Sequence, residues 1–252
     1  MADGLLWRAG MTARSIASRS ISEISSERKS APAERASLFT DLQPQERKEI
    51  VAGAVGVEYA RREAIFQEGD PVRSVILLTE GSVKNMQFGR NGTEVILRLS
   101  GPGEFVGKIG PCSRERHGSR AQALRASKAL VWGVAEFEAL AQRFPTLRRN
   151  CSRLLCRQMD DLEERFRLIS TERVSTRLSH QLIRLLGQVG HETDGVMEIS
   201  LSREELAQLI GTTLFTVSRL LSEWDQLGFV SARREAVSIR NLQALRELAE
   251  GE

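Results

Sequence analysis

The chain has 252 residues, of which 41% are hydrophobic and 27% charged, a composition typical of a globular protein with one large or two ordinary domains. No apolar run approaches the roughly 18 residues that a membrane-spanning helix needs, which excludes that class. The formal charge is only +3, and residues 171–252 hold nine arginines against twelve carboxylates. Bulk charge therefore gives no evidence for a nucleic-acid partner, and such a function must depend on where the arginines lie.

The first residues have the composition of a tail rather than of a packed domain. Residues 1–37 are rich in Ser, Arg and Ala and contain few large apolar side chains, so we expect a flexible N-terminal tail. The three cysteines, Cys112, Cys151 and Cys156, form no C-x-x-C pair. An odd number of thiols without a secretory signal predicts a reducing, cytoplasmic location.

A β-rich domain is predicted over residues 38–145. The pattern from Phe39 to Val57 is helical. Between about 57 and 135 there are short β-rich runs, such as SVILL and TEVILRL, separated by turn signals such as EGDP and GRNG. Many short strands at regular spacing are typical of an antiparallel β-roll or jelly roll.

A long helix is predicted over residues 146–170, because Pro145 suits the first turn of a helix. Within it, apolar residues recur at intervals of 4, 3, 4 and 3, the seam of a coiled coil: Leu155, Met159, Leu162, Phe166 and Ile169. One helix cannot bury such a seam by itself. The seam either packs on the β-roll or pairs with a second copy of the chain, and its place between two self-contained modules favours a homodimer.

The stretch EELAQLIGTTLFTVSRLL, residues 204–221, has apolar residues at helical spacing but a glycine and two threonines in its middle. A glycine inside a helix costs about 1 kcal/mol relative to alanine, so two helices meeting at a turn explain Gly211 better than one long helix. Ser202 and Glu205 fit a capping box at the start, and Gly228 is the expected stop of the second helix. An ordinary helical hairpin is the alternative.

The segment that follows distinguishes between these two interpretations. Residues 229–240, FVSARREAVSIR, have the pattern of a β-hairpin with charged residues at its tip, among them Arg233 and Arg234. A generic helical pair has no reason to carry a basic hairpin. The order of helix, short strand, helix-turn-helix and hairpin over residues 171–252 therefore predicts a winged helix-turn-helix domain.

In this order of parts the chain resembles the CRP/FNR family of bacterial transcription regulators over residues 38–245. The resemblance implies an α+β fold with an N-terminal antiparallel β-roll (jelly roll) like a cyclic-nucleotide-binding domain, a long dimerisation helix and a C-terminal winged helix-turn-helix. It also implies a non-enzymatic homodimer that binds a two-fold symmetric site on double-stranded DNA and acts on RNA polymerase as an activator or a repressor. It is carried by FQEGD at 66–70, LLTEGSVK at 77–84, GEFVGKIG at 103–110, the strand at 120–126 and IGTTLFTVSRLL at 210–221.

The second helix of a helix-turn-helix enters the major groove with its first residues facing the base edges. By resemblance, Arg219 grips the O6 and N7 atoms of a guanine, and Arg233 and Arg234 contact DNA from the wing. Relatives commonly carry a glutamate in place of Phe215. Phe215 and Leu214 either meet thymine methyl groups or belong partly to the core. The predicted DNA-binding residues of the helix are Thr212, Thr213, Leu214, Phe215, Ser218 and Arg219.

Family members that bind cyclic AMP place a glutamate on the ribose, an Arg-Ser pair on the phosphate and a Thr-Ser pair on the adenine. At these positions the chain has Lys108, then Arg120 with Ala121, and Leu162 with Glu163. A lysine cannot accept from the ribose hydroxyls, so cyclic AMP is not the expected effector. Either a more anionic ligand or no ligand is expected, and Lys108 either faces the pocket or points to solvent. The predicted pocket consists of Gly107, Lys108, Arg120, Ala121, Leu162 and Glu163.

No cofactor or metal site is predicted. An iron–sulfur cluster requires about four thiolates, which the tail lacks, and Cys112 with His117 is a loose candidate for binding haem. A cupin-type barrel enzyme needs metal ligands clustered on strands, whereas His180 and His191 lie outside the predicted barrel. The remaining alternative is a ligand-binding regulatory protein whose winged helix docks on protein, and Arg219 and the basic hairpin argue against it.

Overall fold

The structure, a computed structural model, describes residues 37–109, 115–193 and 196–250. Residues 1–36 of the predicted tail, and Cys112, lie outside these ranges. A 3-10 turn (Ser37–Phe39) and helix α1 (Pro44–Ala52) precede the first strand. The prediction of a helix from 39 to 57 is therefore wrong at both ends, because Pro44 begins α1, Gly53 caps it and the next residues enter a strand.

Within the described residues, the N-terminal domain contains eight short strands in two antiparallel sheets, ordered β1-β8-β3-β6 and β2-β7-β4-β5. The inner faces enclose apolar side chains that include Phe66, Leu78 and Val131. This arrangement confirms the predicted β-roll. The strands are β1 (Val55–Tyr59), β2 (Ala64–Phe66), β3 (Ser74–Glu80), β4 (Val83–Phe88), β5 (Glu94–Ser100), β6 (Phe105–Val106), β7 (Arg120–Ala123) and β8 (Ser127–Gly133).

Helix α2 (Val134–Arg143) leads into α3 (Pro145–Thr171), a single helix of 27 residues with its proline in the first turn. The N-terminal half of α3 is anchored to the β-roll. Leu147 is fully buried there, and the amide of Asn150 donates to the carbonyl oxygen of Leu38 at 2.9 Å. In the part of the chain that the structure describes, no helix combines the length and the apolar character needed to cross a membrane.

The C-terminal domain confirms the predicted order of helix, strand, helix-turn-helix and hairpin. Within the described residues of this domain, a four-stranded antiparallel sheet of order β11-β12-β10-β9 packs with four helices around leucine side chains and Trp224. The sequence pattern missed the short strand β9. The elements are α4 (Val174–Gln188), β9 (His191–Thr193), β10 (Val196–Ile199), α5 (Arg203–Ile210), α6 (Leu214–Gln226), β11 (Val230–Ala232), β12 (Val237–Ile239) and α7 (Leu242–Glu250).

The β4–β5 hairpin of the β-roll packs against α5. Ile96 of β5 lies in the same apolar cluster as Leu206 of α5. Beside this cluster, the ammonium group of Lys84, whose side chain is only 11% exposed, lies 3.1 Å from a carboxylate oxygen of Glu94 and 3.4 Å from one of Glu205. The β-roll and the helix-turn-helix are thus joined by an apolar contact and by a shared, largely buried lysine.

Candidate nucleic-acid interface and effector pocket

Local interactions build the turn between α5 and α6. The hydroxyl oxygen of Ser202 accepts from the backbone N–H of Glu205 at 3.2 Å, and the Glu205 carboxylate accepts from the backbone N–H of Ser202 at 3.0 Å. This is the predicted capping box. Helix α5 ends at Gly211, whose φ of +68° lies in the left-handed region that favours glycine. The glycine therefore closes the first helix and redirects the chain into the second.

Helix α6 presents one face to the core and the other to solvent. Val217, Leu221 and Trp224 are buried. The hydroxyl oxygen of Thr213 caps the helix by accepting from the backbone N–H of Thr216 at 3.2 Å. The predicted DNA-binding residues of the helix occupy its first turns and the residues just before them, with exposed or half-buried side chains: Thr212, Thr213, Leu214, Phe215, Ser218 and Arg219.

Leu214 and Phe215 are surface residues. Leu214 is 42% exposed and Phe215 is 84% exposed, so the alternative that they belong partly to the core is wrong for Phe215. An aromatic ring and a leucine that stand in water at the start of a helix form apolar surface that a ligand can remove from solvent.

Arg219 lies one turn further along the exposed face of α6. Its side chain is 72% exposed, and its guanidinium lies 3.9 Å from the carboxylate of Glu223, one helical turn away. An ion pair this long and this exposed contributes little, because water screens both charges. The donors of Arg219 are therefore available to a ligand.

The wing is the hairpin formed by β11 and β12, and β11 packs against α6. The backbone N–H of Arg233 donates to the carbonyl oxygen of Ala236 at 2.8 Å and closes the turn. The Arg233 side chain is exposed, with its guanidinium 3.8 Å from the carboxylate of Glu198 in β10. Arg234 is exposed at the tip. The wing thus holds two arginines in solvent beside the second helix of the motif.

The predicted effector pocket begins at the turn after β6. Gly107 has a φ of +85°, and a Cβ atom there would meet the Phe66 ring at 2.9 Å and His117 at 3.2 Å. These two rings stack with their centroids 3.6 Å apart. Burial lowers the pKa of His117; the carboxylate of Asp70 opposes this shift, and the ammonium of Lys108 adds to it. A larger residue at 107 would therefore displace a buried, stacked pair of rings.

The two basic residues of the pocket have different surroundings. The ammonium of Lys108 lies 2.5 Å from a carboxylate oxygen of Glu115, so its charge is paired at the surface. Arg120 begins β7, and its Nε atom is buried without a hydrogen-bond partner among the described residues. Ala121 beside it is fully buried. Arg120 therefore carries a donor that the described part of the protein does not satisfy.

The predicted seam lies on the C-terminal half of α3 and faces solvent in the single chain. The alternative that the seam packs on the β-roll is therefore wrong. Glu163, beside Leu162, is also exposed. The exposed fractions are 40% for Leu155, 58% for Met159, 58% for Leu162, 73% for Phe166 and 46% for Ile169.

Sequence reasoning missed Arg165, which ties α3 to both domains. Its guanidinium donates to the carbonyl oxygens of Ile96 at 3.2 Å and of Leu97, both in β5, and to that of Leu209 in α5 at 2.9 Å. Burial lowers the pKa of Arg165 to about 10. Its partners are 44 to 69 residues away in sequence, so no local pattern could have revealed the interaction.

Together these elements define a class of protein. A helix-turn-helix with an exposed second helix and a basic wing is a module that reads double-stranded DNA. The antiparallel β-roll joined to it through α3 and the β4–β5 hairpin has the architecture predicted for a cyclic-nucleotide-binding-like domain. The class is that of DNA-binding transcription regulators.

Comparison with known proteins agrees with this class. Residues 56–144 match the family described as the cyclic nucleotide-binding domain, and residues 176–248 match the Crp-like helix-turn-helix domain. The cyclic AMP receptor protein of Thermus thermophilus is 28% identical over 215 residues, which are 85% of this chain and 97% of that protein. The transcriptional activator protein anr of Pseudomonas aeruginosa is 28% identical over 192 residues, which are 75% of this chain and 78% of that protein.

A solved structure shows the same fold. FixK2 of Bradyrhizobium japonicum matches with a TM-score of 0.69 at 23% sequence identity, over 77% of this chain and 96% of that chain. The chain belongs to the CRP/FNR family and is a DNA-binding transcription regulator. The recognition of the family from the order of motifs, and the fold that it implied, are thereby confirmed.

Proposed function

We propose that the chain acts in the cytoplasm as a homodimer on a two-fold symmetric DNA site, that it acts on RNA polymerase from there, and that cyclic AMP does not control it. The observation that carries this proposal is the exposed face of α6. Phe215 and Arg219 stand in solvent near the start of the helix, which a helix-turn-helix directs into the major groove. A symmetric dimer presents this face twice and therefore reads two equivalent half-sites.

Arg219 is the residue proposed to read a base. A guanidinium offers two parallel donors that match the O6 and N7 atoms of guanine, a contact worth about 1–3 kcal/mol of discrimination. The weak pairing of Arg219 with Glu223 leaves these donors free to make it. A lysine at this position would supply one ammonium group rather than two parallel N–H donors. The proposed reading of guanine by Arg219 therefore depends on the shape of the side chain as well as on its charge.

The residues around Arg219 have complementary roles in this proposal. Leu214 and Phe215 meet thymine methyl groups, which removes their exposed apolar surface from water. The hydroxyls of Thr212, Thr213 and Ser218 lie near the N-terminus of α6, where backbone N–H groups and the helix dipole favour phosphate. Arg233 and Arg234 of the wing contact the DNA backbone. Base contacts would then specify the site, and phosphate contacts would position the protein on it.

The apolar seam of α3 is the proposed dimer interface. Its a/d spacing is the spacing that packs against another helix, and exposed apolar surface of this extent marks an interaction site. Val95 and Leu97 of β5 are also exposed, at 41% and 38%, and the hydrogen bond from Arg165 to Leu97 places them next to the seam. A second copy of α3 would therefore cover the seam and the neighbouring edge of the β-roll.

Dimerisation can be tested with charges in the seam. The double variant Leu162→Glu, Phe166→Glu should be monomeric and bind DNA weakly, because carboxylates facing each other in a closed seam repel and lose their hydration. The control is Arg157→Glu, an exposed position of the same helix on the side away from the seam, which should remain dimeric. Sedimentation of the wild type as a monomer at micromolar concentration would contradict the proposed interface.

The role of Arg219 predicts a change in specificity rather than a uniform loss of affinity. Arg219→Ala should relax the preference at one base pair in each half-site, at a cost of about 1–3 kcal/mol for each guanine read. Arg233→Ala should instead weaken binding to all sequences and lower the salt dependence. Binding measured on a panel of single-base variants of the site distinguishes the two effects. Equal losses on every sequence from both variants would contradict the assignment.

The pocket lacks the hydrogen-bonding groups that cyclic AMP would need. Lys108 cannot accept from a ribose hydroxyl and is paired with Glu115. Ala121 has no hydroxyl for the phosphate, and Leu162 has none for the adenine. A buried polar group left without its hydrogen bond costs about 1–3 kcal/mol. At about 1.4 kcal/mol for each factor of ten, three such groups reduce the affinity by several powers of ten.

We therefore expect no micromolar binding of cyclic AMP. Titration calorimetry of the purified protein with cyclic AMP should give no heat of binding in that range, and a band-shift assay should show DNA binding that the nucleotide does not alter. Micromolar binding together with nucleotide-dependent DNA affinity would overturn this part of the proposal. It would leave the assignments of α6 and of the α3 seam untouched.

A further inference from the structure

The turn between β1 and β2 carries two arginines from the β-roll to the tip of the wing. The guanidinium of Arg61 lies 2.6 Å from one carboxylate oxygen of Glu235, and that of Arg62 lies 3.6 Å from the other. Glu235 is 174 residues away from Arg61 in sequence and follows the two wing arginines directly. The β-roll therefore meets the DNA-binding domain here as well as at the contact between β5 and α5 and at Gln188 of α4, whose amide donates to the carbonyl oxygen of Leu99 at 2.8 Å.

This turn holds Arg62 in a strained backbone that is hydrogen-bonded to a neighbouring strand. Arg62 has a φ of +67°, in the left-handed region that glycine adopts at less cost. Its backbone N–H donates to the carbonyl oxygen of Ala123 at 2.8 Å, and its own carbonyl accepts from the amide of Gln122 at 2.9 Å. The turn is thus held to β7 by hydrogen bonds. It carries a charged side chain at a position where a glycine would have less backbone strain.

The charges at this place do not balance. The wing-tip cluster consists of four guanidinium groups, Arg61, Arg62, Arg233 and Arg234, and two carboxylates, Glu235 and the largely buried Glu198. The pKa of Glu235 is lowered chiefly by the hydrogen bond and charge of Arg61, with smaller contributions from Arg62 and Arg234. These six groups sum to +2. Two further carboxylates of the region accept hydrogen bonds from backbone N–H groups, that of Glu63 from Ala60 at 2.7 Å and that of Asp225 from Ala232 at 3.3 Å.

Two interpretations of the cluster make opposite predictions. In the first, the ion pairs with Glu235 hold the wing away from DNA. In the second, the excess positive charge binds phosphate. The pairs are exposed, with side chains 48–74% accessible, and such pairs are screened and contribute little to holding two domains together. Guanidinium groups in excess beside a DNA-binding surface release counterions from the DNA backbone when they bind it.

We propose that Arg61 and Arg62 extend the wing into one continuous surface for the DNA phosphate backbone, so that the β-roll itself contacts DNA. This inference rests on the proposed DNA-binding role of the wing. Within this surface the Glu235 carboxylate bridges the guanidinium groups of Arg61 and Arg62 until a phosphate replaces it. The contacts are to phosphate, so they add affinity and salt dependence on every sequence and no base preference.

The test compares Arg61→Ser and Arg62→Gly with the wild type on a random-sequence duplex of about 40 base pairs, long enough for two half-sites. Removal of one phosphate-binding arginine should lower the slope of log K against log salt by about 0.9, and the dimer carries each arginine twice. Affinity should fall about tenfold or more near 0.1 M salt. Arg62→Gly should not lower the melting temperature, because glycine adopts the left-handed turn at less cost. Weaker DNA binding by this variant would therefore come from the lost charge and not from a less stable fold.

A matched control removes the same charge elsewhere. Arg148→Ser changes an exposed arginine near the start of α3 and should leave the affinity and the salt slope close to those of the wild type. Glu235→Gln should bind DNA more tightly, because it removes a carboxylate that phosphate must displace. On a selected operator, single phosphates can be replaced by uncharged methylphosphonates to find those whose charge the protein uses. The phosphates whose replacement no longer weakens binding by Arg61→Ser should lie next to those whose replacement no longer weakens binding by Arg234→Ser.

The outcomes separate this inference from the proposed function. If the wild type does not bind duplex DNA, both fail. If the wild type binds and Arg61→Ser and Arg62→Gly bind with the same affinity and salt slope, the β-roll makes no DNA contact and this inference alone is overturned. If the two variants bind more tightly than the wild type, the ion pairs restrain the wing, and the inference is again overturned.

Discussion

Helix α3 is the element on which the geometry of the rest of the molecule depends. Its N-terminal half is fixed to the N-terminal domain, by Leu147 in the apolar core beside the strands and by Asn150 on the 3-10 turn at Leu38. Further along, Arg165 donates to backbone carbonyls of both β5 and α5, so one side chain fixes the helix relative to each domain. Between and beyond these anchors the apolar seam stays in solvent. A second copy that covered it would set the distance between two copies of α6, which a two-fold symmetric DNA site requires.

The DNA-binding domain illustrates why net charge predicted so little. Its carboxylates outnumber its arginines, yet several of them are engaged within the protein. Glu205 completes the capping box of α5 and pairs with Lys84, and Glu198 accepts from Ser238 at 3.1 Å. Arg219 and Arg233, in contrast, have mostly exposed side chains and long ion pairs of 3.9 and 3.8 Å. Net charge thus says little about this domain, because two of its carboxylates are engaged within the fold while Arg219 and Arg233 extend into solvent on the proposed DNA-binding face.

Local signals in the sequence predicted the order of the elements and most of the elements themselves. Ser202, Glu205 and Gly211 predicted the caps and the turn of the helix-turn-helix, because capping and left-handed turns depend on neighbouring residues. The helix expected from 39 to 57 was wrong because Pro44 and Gly53 bound a shorter one. Strand β9 was not predicted, because three residues are too few for an alternation of apolar and polar side chains to distinguish a strand from a loop.

The interactions between distant segments could not be predicted from local patterns in the sequence. Lys84, Arg61 and Arg165 find partners 44 to 174 residues away, and only the tertiary fold brings them together. The sequence also left two environments open that depend on packing. Phe215 has an apolar side chain that would suit a core, yet it lies on the surface. Lys108 has a charge that would suit ligand binding, yet it is paired with Glu115.

The central claim is that a dimer of this chain reads DNA with two copies of α6. The most direct measurement is selection of binding sites from random duplex DNA by the full-length protein, followed by sequencing of the retained fragments. The account predicts a two-fold symmetric site whose half-sites have centres about 10 base pairs apart, with a guanine at the same place in each. Enrichment of a single unpaired half-site, or of no sequence at all, would contradict it.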